Sequence, residues 1–550
     1  ERDPAFELPK EDRCAASIYG KTPQWSPALK KGLAEGLALL GSHPKVLSNC
    51  SQDKAELTAV LAVRDIFADA DWVLWGSLNN LLPVLAEAAP TEFLNAVENA
   101  LQVSPCPFDE LFAQEDSNTI YMSGLLWALE TLAWYPDYLI RVCVLLGELA
   151  SRDPGGNWRN RPDNSLSTIL LPWYPQTLAS IEKRQTAVTT LCRELPEIGW
   201  KQVIALLPNQ LSMTQQSRKP LWRNPIPNDW KPSVTEQEYQ EQVSFYAEQA
   251  ISLAGHDLTK LNELIRQFHN LPEASSKRLI EKLSSEAVLS IPEKRRLQLW
   301  NTLVKFVADH RRFADGQPSS MEKLILSIEN VAEKLAPANP LNLYQRLFSK
   351  RDYDLYEKNG NLESQQKKLA ERRQQAVKEI LASGGIDSII QFSDLVEDPF
   401  TLGNILADLT DINVDTILLP AQLKKPKGDI SFSFTRGYIR HRCFNKGWSW
   451  VDSLDTSGWN KKQQCQFLCF LPFTNETWER AVEWLDDAEK EYWQMVDANP
   501  YQDSHIETST ARRKLNAAFF VVMLYNESLL IADIDNNFAT NGFENANTQI

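Results

Sequence analysis

The feature that most constrains this chain is a helical stripe that keeps recurring and keeps being interrupted. Apolar residues fall at i, i+3, i+4 and i+7 in Val142, Leu145, Leu146 and Leu149, and again in Leu261, Leu264, Ile265 and Phe268. The same template fits Trp300, Leu303, Val304 and Val307, and later Trp478, Ala481, Val482 and Leu485. That spacing puts each set on one face of an α-helix, and each face needs another element to cover it. One to three residues past such runs stand Pro83, Pro90, Pro136, Pro154, Pro196, Pro208, Pro272, Pro292, Pro337, Gly447 and Pro472, residues that do not continue a helix. Ser26 followed by Pro27 reads as an N-cap with proline at the first helical position, and Thr91-Glu92 similarly opens 93–101. Short breaks make antiparallel neighbours. The pairs 123–135 with 138–151 and 178–194 with 197–207 are close to tetratricopeptide length, while others are longer. The expected fold is therefore all-α, an irregular α-solenoid of tetratricopeptide-like or HEAT-like helical hairpins. Unrelated helical bundles joined end to end are the alternative.

At 550 residues the chain exceeds what one compact core usually holds, so it needs several domains or an array that grows by stacking. We expect three parts: 1–211, 212–350 and 351–550. Residues 218–232, RKPLWRNPIPNDWKP, hold four prolines and two tryptophans without any period, and mark a functional loop or a linker. Residues 350–368 are polar and lead into a long helix over 363–382, with Lys367, Lys368, Arg372 and Arg373 expected on its exposed faces. Only 429–435 alternates well enough to read as a strand, and helical spacing resumes directly after it.

Hydrophobic residues make up 43% and charged residues 23%, so the chain should fold rather than stay disordered. A net charge of −15 argues against nucleic acid or an anionic membrane as the main partner. The eight cysteines are scattered without a CxxC pair and read as reduced thiols. No apolar run approaches the roughly 20 residues that span a bilayer, and no signal peptide opens the chain, so the cytoplasm is expected. The Met-less, acidic, Pro-containing start reads as the middle of a longer protein.

Catalytic signatures are missing from the sequence. There is no GxxxxGK[ST] and no GxGxxG opening a helix, and Gly155-Gly156 lacks the lysine and strand of a phosphate loop. The six histidines show no HExxH and no metal-ligand spacing. The enzyme reading worth keeping is an α/α toroid hydrolase, in which two carboxylates would act in an aromatic cleft built from tryptophans such as Trp72, Trp75, Trp448 and Trp450. Trp at helix-stripe positions is more often core. We therefore expect no enzyme, no metal and no cofactor in this chain.

One segment is not generic. Residues 153–166 read DPGGNWRNRPDNSL and 171–177 read LPWYPQT. With ELPKEDR at 7–13, RGYIRHRCFNKGWSWVDSL at 436–454, and 471–501 beginning LPFTNETWERAVEW and ending EYWQMVDANPY, this resembles the C-terminal repeat region of the Avs proteins, the bacterial antiviral STAND NTPases. The likeness covers most of the chain but is weak over 212–373. It implies a tetratricopeptide-like sensor that binds a phage protein, the terminase large subunit first and the portal second. In that family the effector and the ATP- and Mg-dependent NTPase precede the sensor, and target binding drives oligomerisation. A general helical adaptor is the rival reading.

Binding energy in such interfaces concentrates at aromatic and arginine anchors. The candidates are Trp158, Arg159 and Arg161 in the 153–166 block, Trp222 and Trp230 in the Pro-rich loop, and Arg436, Arg440 and Arg442. For each there is a plain structural alternative. Asn157 and Asn160 would cap helices while Trp158 packs inward, the loop tryptophans would pack down, and the three arginines would line a solvated helix face.

Overall fold

The structure, a computed structural model, describes residues 1–46, 51, 53–115, 119–208, 216–223, 225–230, 234–312, 319–351, 361–410, 412–426 and 428–497. Among these residues the protein is all-α, with 26 α-helices, short 3-10 turns and no β-strand. No described helix is long and apolar enough to cross a membrane. The chain divides into two compact units, Glu1–Ile291 and Pro292–Ile550. The described residues of the Pro-rich loop are bound to the first unit.

Within each unit, a described helix packs extensively only on helices one to three places along the chain. Pro27–Ser42 meets Lys54–Phe67 and Leu82–Ala88, and Leu139–Arg152 meets Ser123–Ala133 and Ile181–Glu194. Packing this local is shared by stacked arrays and by simple bundles. The stripes are what it buries. Val142, Leu146, Leu149, Leu261, Leu264 and Ile265 are fully covered, as are Leu303 and Ala481. Val304 is only partly buried, and Val482 is 50% exposed. Val482 lies one residue round the helix from Ala481, beyond the edge of the stripe formed by Trp478, Ala481 and Leu485.

The prolines mark helix starts more often than ends. Pro27, Pro90, Pro107, Pro162, Pro196, Pro340 and Pro399 each occupy the first turn, where the missing N–H costs nothing. Ser26 caps as expected, accepting from Leu29 N at 3.2 Å. The helix expected to open at Thr91-Glu92 instead begins at Pro90, with Ala89 at the cap.

In the second unit one open alternative is decided and one expectation is corrected. Residues 430–435 are not a strand but the first turns of the helix Ile430–Lys446, with Asp429 accepting from Ser431 N at 2.9 Å. The apparent alternation is a helical face: Ser431, Phe434, Thr435 and Tyr438 are all fully buried. The long helix runs Leu362–Ser393, broken at Gly384 and Gly385, and Gly385 has φ 66°. Arg373 is not on its exposed face. It is 6% exposed, donates to Leu347 O at 2.7 Å and lies over the Phe348 ring.

Ile430–Lys446 is held unusually close to Pro399–Leu409. A Cβ at Gly403 would stand 2.1 Å from Phe434 O, and one at Gly437 would stand 2.2 Å from Phe400 O. Only glycine at both crossing points lets the backbones approach so nearly. This contact sets the position of the helix that carries Arg436, Arg440 and Arg442.

Candidate functional site

The 153–166 block is a locked turn. Arg161, 5% exposed, pairs with Glu115 at 2.8 Å and Asp153 at 3.0 Å, and donates to Gly155 O at 3.0 Å. Asp153 also accepts from Gly155 N at 2.8 Å. Gly155 and Gly156 have φ of 81° and 148°, and a Cβ on Gly156 would meet the Arg161 guanidinium at 2.3 Å. The caps flanking the turn are Asp153 and Arg161, not Asn157 or Asn160. Trp158 is half-buried and already engaged, and Arg159 is exposed. Of the three anchors expected here, Arg161 is a brace inside the fold and only Arg159 offers its side chain fully to solvent.

The Pro-rich loop is also bound down. Glu87, 2% exposed, receives the backbone N–H groups of Leu221, Trp222 and Arg223 at 2.7–3.0 Å. The Arg223 guanidinium donates to Glu87 O at 2.6 Å, Gly41 O at 2.5 Å and Ala88 O at 3.2 Å, capping the C-terminal ends of two helices. Trp230 stands edge-on to the buried Trp134 at 5.1 Å, and the Lys219 ammonium lies over both rings. Trp134 Nε1 donates to Arg218 O at 3.1 Å. Trp222 is half-buried, while Leu221 is 68% exposed.

A second carboxylate, Glu130, accepts from Ser165 Oγ at 2.7 Å and Arg218 N at 2.9 Å. Burial holds its carboxyl above the usual range, against the pull of Ser165 and of the Arg218 amide. A raised folded-state pKa stabilises the fold below the ordinary carboxylate value, and that contribution is lost as pH rises through the raised one. As pH rises above the ordinary carboxylate range the urea midpoint of the native chain should therefore fall relative to that of Glu130→Gln. Parallel curves would mean that Glu130 stays charged throughout.

In the second unit the three arginines separate. Arg442, 1% exposed, pairs with Asp415 at 3.2 Å and donates to Ala407 O, Thr410 O and Tyr438 Oη. Arg436 pairs with Asp497 at 3.2 Å. Arg440 is half-buried, and among the described residues it has neither a hydrogen bond nor an ion pair. Burial, and then the neighbouring Arg436 charge, lower its pKa.

Arg440 lines a cleft of about 500 Å³ with Phe400, Asn404, Phe444, Trp448, Thr474 and Glu476. His441 and Cys443 also line it; His441 is paired with Asp408 at 2.9 Å, and burial pushes the Cys443 thiol up to about 11, so it stays protonated near neutral pH. Phe444 is 83% exposed. The Trp448 ring is covered by the Arg480 guanidinium at 4.6 Å, and Arg480 is neutralised by a two-point pair with Asp452 at 2.8 and 2.9 Å. The tryptophans considered for a sugar cleft are dispersed in role. Trp75 and Trp450 are buried, Trp450 donating to Asp415, and neither offers a ring face to a ligand.

Sequence reasoning missed Thr474, Glu87 and Asp415. For the two acids the signal was an isolated carboxylate in an apolar run, AEA in one case and VDT in the other, a pattern that marks a buried acceptor when donors converge on it. No family model, curated protein or solved structure matches this chain.

Proposed function

We propose that this chain is the target-recognition part of an Avs-type antiviral STAND protein, binding a phage terminase large subunit or, as second choice, a portal protein. The observation that carries the reading is the sequence block at 153–177, with DPGGNWRNRPDNSL and LPWYPQT, and its companions at 436–454 and 471–501. The all-helical fold with near-neighbour packing is consistent with it, because such helices offer broad faces for many weak contacts. The acidic charge would steer the chain toward a basic DNA-handling protein. In such a protein the ATP, Mg²⁺ and effector chemistry lie outside this chain, the assembly is cytoplasmic, and target binding drives the full-length parent to oligomerise. The test is a pull-down with terminase and portal proteins as separate baits, in which terminase should be retained. Retention of neither, across several phages, overturns the reading in favour of a general helical adaptor.

A further inference from the structure

The cleft beside Arg440 is chemically incomplete as it stands. The basic groups around it each have a carboxylate: Arg436 has Asp497, His441 has Asp408, Arg442 has Asp415 and Arg480 has Asp452. Among the described residues Arg440 alone has none, although it is half-buried. A partly desolvated guanidinium gains most from an oxyanion that arrives with its own ligand.

A second, independent group on the cleft wall is also unanswered. Thr474 is 8% exposed, and among the described residues its hydroxyl has no hydrogen-bond partner. It stands at the N-cap of the eleven-residue helix Asn475–Leu485, yet its side chain does not cap that helix. The first amides there, with the positive end of the helix dipole, are left to another acceptor. Guanidinium, hydroxyl and helix N-terminus thus share one cleft, and all three are suited to an oxyanion.

Glu476, in the first turn of the same helix, lines the cleft too and is not ion-paired with Arg440. It would repel free phosphate. A peptide resolves the conflict, because it brings backbone N–H donors for Glu476 along with a carboxylate for Arg440. The exposed Phe444 ring at the rim offers apolar surface to a neighbouring side chain.

We propose that this cleft binds an acidic peptide segment of a partner protein, its carboxylate held by Arg440 and Thr474 and an adjacent apolar side chain resting on Phe444. This deepens the protein-recognition reading and rests on it for the identity of the partner.

The test uses the full chain and a fluorescein-labelled peptide, acetyl-Gly-Glu-Phe-Glu-Gly-amide, followed by fluorescence anisotropy. Arg440→Gln should weaken binding about tenfold or more and Thr474→Val about threefold to tenfold, while Lys446→Gln, which removes the same charge outside the cleft, should not. The peptide with both glutamates replaced by glutamine should bind at least about tenfold more weakly. Equal affinity of Arg440→Gln and the native chain overturns the proposal. So does equal binding of the neutral peptide, or displacement by inorganic phosphate at concentrations where the unlabelled peptide has no effect. The phage-protein pull-down is repeated with Arg440→Gln. Undiminished capture by that variant sinks the cleft while leaving the sensor reading intact. Arg440-dependent peptide binding by a chain that captures neither phage protein does the reverse.

Discussion

Asp415→Ala is expected to cost the second unit about 3–5 kcal/mol, because it strands a buried guanidinium. Asp415 and Arg442 are each about 1% exposed. The carboxylate accepts from Tyr438 Oη at 2.5 Å, Arg442 Nε at 3.2 Å and Trp450 Nε1 at 2.9 Å, so removing it leaves three donors without their acceptor. Burial, reinforced by Asp415, keeps the Tyr438 hydroxyl protonated well beyond the ordinary tyrosine range, so it remains a donor at every pH at which the protein folds. Tyr438→Phe should cost less, about 1–2 kcal/mol, since Arg442 keeps its pair. The double change Asp415→Ala with Arg442→Met should be milder than the sum of the singles, because the stranded charge goes with its partner. Denaturant unfolding followed by tryptophan fluorescence reads all four. A loss below about 1 kcal/mol for Asp415→Ala would show that water can replace the carboxylate.

The second large effect is expected at Glu87. Three consecutive backbone N–H groups of the Pro-rich loop converge on one buried carboxylate, an anion nest filled from within the chain. Glu87→Ala should free the loop and cost about 3–5 kcal/mol of local stability, because these donors have no helical partners and the prolines around them bar a ladder of their own. Trypsin should then cut after Arg218 or Arg223 about a hundredfold faster, with a red shift in the emission of Trp134 and Trp230. Unchanged cleavage would mean that Trp134, Lys219 and Trp230 hold the loop without Glu87.

Both predictions concern residues that local pattern leaves unremarked. Periodicity found the helices because a buried face repeats every 3.6 residues and needs no knowledge of what covers it; the stripe at Val142, Leu145, Leu146 and Leu149 is an example. It left 430–435 open, where ISFSFT satisfies both a strand and a helix until the partner is known, although the helical spacing that follows favours the helix. Gly403 against Phe434 and Gly437 against Phe400 supply that partner, and only the helix brings both glycines to the crossing.

The candidate anchors divide for the same reason. Arg436, Arg440 and Arg442 lie within seven residues on one helix and are indistinguishable by composition. Successive 100° rotations send Arg442 into the core against Asp415, Arg436 to the surface beside Asp497, and Arg440 into the cleft. Likewise Arg159 is exposed and Arg161, two residues on, is enclosed by Glu115 and Asp153.

The recurring, interrupted stripe with which the sequence opens its case was enough by itself to determine an all-helical protein and which faces most of its helices bury. Those properties depend on neighbours three or four residues apart. Which charges are spent inside the fold and which remain for a partner was decided only by the tertiary structure. An arginine's role is set by the nearest carboxylate in space: that carboxylate is 27 residues away for Arg442 and 46 for Arg161, and among the described residues none pairs with Arg440.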